Sequence, residues 1–375
     1  MKIGVVTYWY GNSNYGMIMQ CWALQQYLKK MGHEPYVIRY KPERPWYIRM
    51  VKWCLKYLMC VVSSSHRVAL KQEKYNAIKD EERGFDVFRK LHLDFSERVY
   101  KNIGELRRYP PVADCYIAGS DQIWCSDLRD KNAWGYYLTF GDDAVKRVAY
   151  APSFGHMKYD KSNEGLLSEA LSCFNAISCR ESNGVELCNT LGFVAKKVMD
   201  PTILLSSNDY LPITEEVECN DYIFIYSVNV RSKEDIYWDA VKTTFSNMKI
   251  VVTPASGSIS GGELFGNEVE YDYAKPGQWL ALIKNANMVI TSSFHGIVFS
   301  VLFNKPFAFV PLKGQYITTN NRIVDLLTAV GLDCLIVDDA DDYKRILGLE
   351  VDWDSVNEKK KTLIKESIDF LIESI

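Results

Sequence analysis

The sequence has little of what marks several common protein classes. Its ten cysteines are scattered through 375 residues with no C-x-x-C pair, which argues against a zinc site or a disulfide framework and for reduced core or surface thiols. No run approaches 18 uninterrupted apolar residues, so no spanning helix is expected. The segment after Met1, KIGVVTY, lacks the charged and apolar regions of a secretory signal and reads as a strand. A cytoplasmic location is therefore expected. A formal charge of only −3 gives no overall attraction for nucleic acid. A Walker loop, a G-x-G-x-x-G after the first strand, H-E-x-x-H and G-x-S-x-G are all missing, which moves nucleotide hydrolases, simple dehydrogenases and serine esterases down the list. No metal cluster or internal repeat is visible.

What is present is an ordinary globular composition, 47% apolar and 24% charged, in a chain of 43.1 kDa. That is more than one core usually serves, so two domains are expected. The first forty residues alternate a strand (KIGVVTY), a loop (WYGNSN), a helix from about Tyr15 to Met31 closed by Gly32, and a second strand (EPYVIRY). A βαβ opening of this kind builds a parallel sheet. Further strands are expected at 115–119, 147–153, 176–180 and 196–205. After residue 210 the pattern restarts, with strands expected at 222–228, 249–254, 288–293, 306–311 and, at an edge, 334–339.

The reading is α/β and GT-B-like, two Rossmann-like domains with parallel sheets facing a central cleft. Their expected bounds are 1–210, with a basic helical insertion at about 41–105, and 211–354, with a closing helix at 355–375. Residues 41–74 hold eight Lys/Arg against two Glu. Within them Trp46, Tyr47, Met50, Trp53, Cys54, Tyr57, Leu58 and Val61 can share one helical face. Such a helix either packs on the first domain or lies in a membrane interface through residues 46–62.

Ligands of open parallel sheets bind beyond the carboxyl ends of strands, where helix N-termini offer unpaired donors. Three such ends are unusually polar here. In TYWYGNSNYGMIMQ, Gly11 and Gly16 permit close backbone approach and Asn12, Asn14 and Gln20 supply neutral hydrogen-bonding groups; the same residues also suit a capped turn. In CYIAGSDQIW, Ser120 and Asp121 sit at a strand tip, where Asp121 is either an N-cap or a base for a hydroxyl substrate. In MVITSSFHGIVFS, Ser292 and Ser293 can donate to an anion, Gly296 allows close approach, and His295 either caps the helix or exchanges a proton near neutral pH. Arg180 and Arg322 are cations that can reach the same cleft, unless they are simply solvated. Together these residues describe a cleft for a small, anionic, phosphorylated ligand beside a polyhydroxyl partner.

Four ordered segments, SNYGMIMQCWALQQYL, DCYIAGSDQIW, ISCRESNG followed by VMDPTILL, and TSSFHGIVFSVLFNKPF, make the chain resemble the polysaccharide pyruvyl transferase family over about residues 3–335. The resemblance implies a GT-B-like enzyme that moves the pyruvyl group of phosphoenolpyruvate onto two hydroxyls of a sugar in capsule, exopolysaccharide or cell-wall glycan synthesis, forming a cyclic ketal and releasing phosphate. Phosphoenolpyruvate is then the donor substrate and no cofactor or metal is required; the acceptor sugar could be polyprenyl-linked. His295 matches the family's late HG motif and is assigned donor contact and acid catalysis. Arg180 matches its RE motif and is assigned carboxylate or phosphate binding. Asp121 is the candidate base or sugar-hydroxyl anchor, and Asn14 and Gly16 match the early N-Y-G stretch. Many relatives carry an arginine two residues before the histidine, where this chain has Ser293; Arg322, Lys305 or Lys313 is expected to compensate. The competing readings are a GT-B glycosyltransferase using a sugar nucleotide and a non-enzymatic assembly factor at a membrane surface.

Overall fold

The computed structural model describes residues 1–43, 63–155, 161–255 and 264–375, together with Tyr47, Met50, Val51, Cys54, Leu55, Lys56, Leu58 and Met59. Most of the 46–62 stretch therefore lies outside the described residues. Among those described, no helix is long and apolar enough to cross a membrane.

The first sheet has seven parallel strands: β1 (Lys2–Val6), β2 (Glu34–Tyr40), β3 (Phe95–Tyr100), β4 (Cys115–Ala118), β5 (Lys146–Ala149), β6 (Ala176–Cys179) and β7 (Ala195–Lys197), in the spatial order β3-β2-β1-β4-β5-β6-β7. The second has five: β8 (Tyr222–Tyr226), β9 (Lys249–Val252), β10 (Glu270–Tyr271), β11 (Met288–Thr291) and β12 (Phe307–Phe309), in the order β10-β9-β8-β11-β12. The central strands are apolar throughout, because helices cover both faces; β4, β8 and β11 are buried at every position. Strand order reverses between β1 and β4 and again between β8 and β11, and a reversal is where a doubly wound sheet opens a ligand crevice.

Two strand expectations and the helical reading of the insertion need correction. The 196–205 strand stops at Lys197, because Asp200-Pro201 starts a 3-10 turn in which Asp200 accepts from the Thr202 amide and Pro201 has no amide to give a ladder. The strand at 334–339 is a 3-10 turn, Asp333–Leu335, with a single bridge from Phe309 to Ile336. The 41–105 insertion is not only helical: after the helices α2 (Ser64–Glu82) and α3 (Phe85–His92) it contributes β3, an edge strand of the first sheet. FSERVY carries charge on two of its six positions, as a half-exposed edge allows.

The helix α1 (Tyr15–Lys30) follows β1 and is tied to both halves. Its Tyr15, Ile18, Met19 and Trp22 belong to the same buried cluster as Trp279, Ile297 and Phe299 of the second half. The helix α4 (Ser182–Thr190) follows β6. In the second half, α5 (Pro276–Asn285) and α6 (Phe294–Leu302) flank β11, and α7 (Asn321–Val330) follows β12. The last helix, α8 (Trp353–Ser374), returns to the first sheet, where Phe370 lies 6.4 Å from Tyr150.

Candidate active site

The centre of the site is a carboxylate that the sequence reading passed over. Asp200 follows β7 and is 2% exposed. One of its oxygens, Oδ2, accepts from Ser120 Oγ (2.8 Å) and Arg180 Nη1 (2.9 Å) and lies 3.6 Å from His295 Nε2. The other accepts from the Thr202 amide and hydroxyl. Burial alone would raise this carboxyl, but His295, Arg180 and Thr202 outweigh it and hold it well below the usual carboxylate range. Reciprocally, Asp200 and the neighbouring acids Glu181 and Asp121 more than offset the burial of Arg180 and raise its guanidinium.

His295 is in the first turn of α6, whose N-cap Ser293 accepts from the Gly296 amide at 3.4 Å. The ring is 8% exposed and is held edge-on to Phe294 at 5.2 Å. Its other side abuts α1: a Cβ placed on Gly16 would come within 2.0 Å of His295 Nδ1. Gly16 therefore makes room for the imidazole, not for a ligand. The Nε2 atom has no hydrogen-bond partner. It is buried against Asp200, while the ring itself lines the cavity in front.

Phe294 stands between two arginines. The guanidinium of Arg180 lies 4.7 Å from the ring centroid and that of Arg322, from α7, lies 5.4 Å away. Arg180 Nε and Nη2 and Arg322 Nε are buried without acceptors. Gln122, with its amide oxygen turned toward α7, accepts from Arg322 Nη1 at 2.9 Å and Nη2 at 3.2 Å. Burial and the adjacent Arg180 push Arg322 down to about 10. Two cations this close, with donors unfilled, make a site for an oxyanion.

A cavity of about 240 Å³ opens in front of these groups. Its walls come from both halves: Asn14, Asp121 and Gln122 from the first, and Tyr226, Asn229, Ser293, Phe294, His295 and Arg322 from the second. Asn14 caps α1 by accepting from Met17 at 3.0 Å. Asp121 adopts φ +82°, a region that Asp tolerates better than most residues, and its Oδ1 accepts from the Gln122 amide. One of its oxygens therefore remains for a substrate hydroxyl.

The other expected residues stand elsewhere. Ser120 is fully buried and holds Asp200 instead of facing the cavity. Ser292 exchanges hydrogen bonds with the Val228 backbone, donating at 2.8 Å and accepting at 2.9 Å, so its hydroxyl ties β8 to β11. Gly296 serves packing, since a Cβ there would meet Thr291 Oγ1 at 2.4 Å. Arg180 faces a second cavity, on the far side of Phe294. Of the three cations proposed to offset Ser293, Arg322 shares the Ser293 cavity. Lys313 instead lies 4.9 Å from the Tyr237 ring and lines a neighbouring cavity with Arg231. Lys305 precedes β12, at the end of the sheet away from the cleft. Asp200, Phe294 and Gln122 were missed. The signal for Asp200 was an acid just past a strand, the same signal that singled out Asp121.

Two parallel α/β halves with facing crevices and a shared cavity define a protein of the GT-B class. The chain belongs to the polysaccharide pyruvyl transferase family, whose model matches residues 14–313. No curated protein matches it in sequence. Among solved structures it is similar to the UDP-GlcNAc 2-epimerase of Methanocaldococcus jannaschii, with a TM-score of 0.51 at 11% identity, covering 97% of this chain and 100% of that one. A Listeria monocytogenes protein described as a UDP-N-acetylglucosamine 2-epimerase gives a TM-score of 0.50 at 10% identity, covering 97% and 90%. These likenesses speak to fold alone.

Proposed function

We propose that the protein transfers the pyruvyl group of phosphoenolpyruvate onto two hydroxyls of a sugar in a glycan or lipid-linked glycan intermediate, making a cyclic ketal and releasing phosphate. The observation that carries this reading is one cavity lined both by Arg322, whose Nε is a buried donor without an acceptor, and by the imidazole ring of His295. Phosphoenolpyruvate presents a phosphate and a carboxylate to such a donor and an enol carbon to such a ring.

In this scheme Arg322 holds one oxyanion of the donor, and the charge of Arg180 beside it favours the other. His295 gives a proton to C3, turning the methylene into a methyl group and leaving C2 electron-poor. A sugar hydroxyl adds to C2 while Asp121 takes its proton; Asp121 then gives that proton up to solvent and His295 regains one from it, which resets both groups. The second hydroxyl then forms the other C–O bond as the C2–O bond to phosphate breaks, and its proton leaves with the phosphate. Asp200 stays ionised throughout and positions Arg180 and His295.

The acceptor enters from the front, where Asn14, Asp121 and Asn229 face the cavity. Contact with an anionic bilayer through residues 46–62, at the inner face of the membrane, completes the proposal. It is supported by the basic excess of 41–74 and by Met50, Val51, Leu55, Leu58 and Met59, which are 48% to 60% exposed. The test is incubation of the purified chain with phosphoenolpyruvate and glycan acceptors, reading phosphate release and the added mass of a carboxyethylidene group. Thermal stabilisation by a nucleotide sugar and not by phosphoenolpyruvate would instead favour a glycosyltransferase.

A further inference from the structure

The cavity on the far side of Phe294 has no part in the scheme above. It measures about 110 Å³ and lies between the end of β7, α7 and α8. Arg180, Phe294 and Arg322 form its inner wall, Val198, Met199, Leu326 and Leu363 its sides, and Lys197, Asp325, Ala329 and Glu366 its mouth. Lys197 and Ala329 are exposed, so the mouth reaches solvent.

The polar accounting of this cavity leaves a surplus of donors. Asp200 has both oxygens filled by Ser120, Arg180 and Thr202. Asp325, at the mouth, accepts from Ser182 Oγ at 2.8 Å and Lys197 Nζ at 3.1 Å through Oδ2 and is balanced by that lysine. Glu366 is exposed at the rim, where water screens it. Arg180, 5% exposed and held by one nitrogen only, keeps Nε and Nη2 unpartnered. A buried guanidinium with two unfilled N–H groups costs free energy that an oxyanion would recover. Lys197, which donates to Ser182 Oγ at 3.0 Å and to Asp325 at 3.1 Å, adds positive charge at the entrance. The volume suits an anion of about the size of phosphate or a few waters.

We propose that this second cavity is a separate small-oxyanion site that takes inorganic phosphate, divided from the donor cavity by the Phe294 ring. Phosphate as the ligand rests on the ketal-transfer reading, which releases it beside Arg322, a residue that lines both cavities; the demand for an oxyanion comes from Arg180 in either case. Because one side chain separates the cavities, product can pass behind Phe294 and leave at Lys197 without recrossing the acceptor in front.

The experiment is isothermal titration of the full chain with inorganic phosphate, alone and after saturation with phosphoenolpyruvate. Phosphate is expected to bind in both cases. Ala329→Trp, which fills the mouth, should weaken phosphate binding about tenfold or more while leaving phosphoenolpyruvate affinity unchanged. Lys197→Ala, a smaller change at the rim, should weaken it a few-fold. Strict mutual exclusion of the two ligands, or wild-type phosphate affinity in both variants, would overturn the site. Absence of any phosphoenolpyruvate binding, with phosphate still displaced by Ala329→Trp, would instead sink the functional reading and leave the anion site standing.

Discussion

The charged floor behind Phe294 and the front wall of the donor cavity are built differently. On the floor Asp200 and Arg180 are 1% and 2% exposed in their side chains, and each bond of the carboxylate is spent on a named partner. On the front wall Asn14, Asp121 and Ser293 each bond a backbone amide within three residues of themselves and keep further acceptor capacity free. A low-dielectric floor with fixed partners suits one small anion, whose charge and geometry do not vary. A wall of locally anchored polar groups suits hydroxyls, which can be met in several ways.

The sharpest way to break this contrast is to remove the proton carrier. His295→Ala should lower turnover by about 10³-fold, within the range for a general acid, while melting temperature stays near wild type. Undiminished turnover would take His295 out of the mechanism. Asp200→Asn attacks the floor and should read out first as stability, at about 3–5 kcal/mol, because Arg180 is left as a buried charge without its counter-ion. The sign of its pH dependence follows from the depressed carboxyl. Its stabilising contribution is complete above the ordinary carboxylate value and declines as pH falls toward the folded value. Denaturation of the two proteins should therefore converge below about pH 4; a gap that widens in acid would contradict the assignment.

Gly16→Ala tests whether the ring is held from the α1 side. Alanine favours a helix by up to about 1 kcal/mol over glycine, yet its Cβ would collide with His295 Nδ1. The expectation is a loss of about 10²-fold in turnover from misplacement of the imidazole. Activity equal to wild type would show that the ring can move freely. Asp121→Asn probes the front wall and should cost least, about tenfold to a hundredfold in turnover. Asparagine tolerates a positive φ, so its thermal stability should match wild type; equal activity would shift the base elsewhere.

Much of the fold was legible because buried parallel strands are continuous apolar runs between helical segments, and YIFIY and MVIT declare themselves that way. β3 did not, because FSERVY is an edge strand whose charges face water and imitate a helical insertion. The corner holding His295 was legible from residue type and position. Its neighbours were misassigned where one residue type serves two ends. Gly296 and Gly16 look like openings for a ligand, yet both make room for a side chain of the protein itself. Ser120 and Ser292 look like anion donors, yet their hydroxyls secure Asp200 and the Val228 backbone. Asp200 escaped notice because the strand expected at 196–205 ran through it, which hid the strand end it occupies. Only the long-range contacts, such as the 80 positions between Ser120 and Asp200, give it a role.

The stacking of Tyr15 on Trp279, at 5.1 Å and 9°, crosses from one half of the molecule to the other. The Tyr15 hydroxyl donates to the Ala274 carbonyl and accepts from Arg83. A clamshell swing of the lobes would have to unseat this lock and expose aromatic surface to water, at a cost of several kcal/mol. Substrates must therefore be admitted by the rims of a nearly fixed cleft, and turnover by this chain should not wait on a hinge.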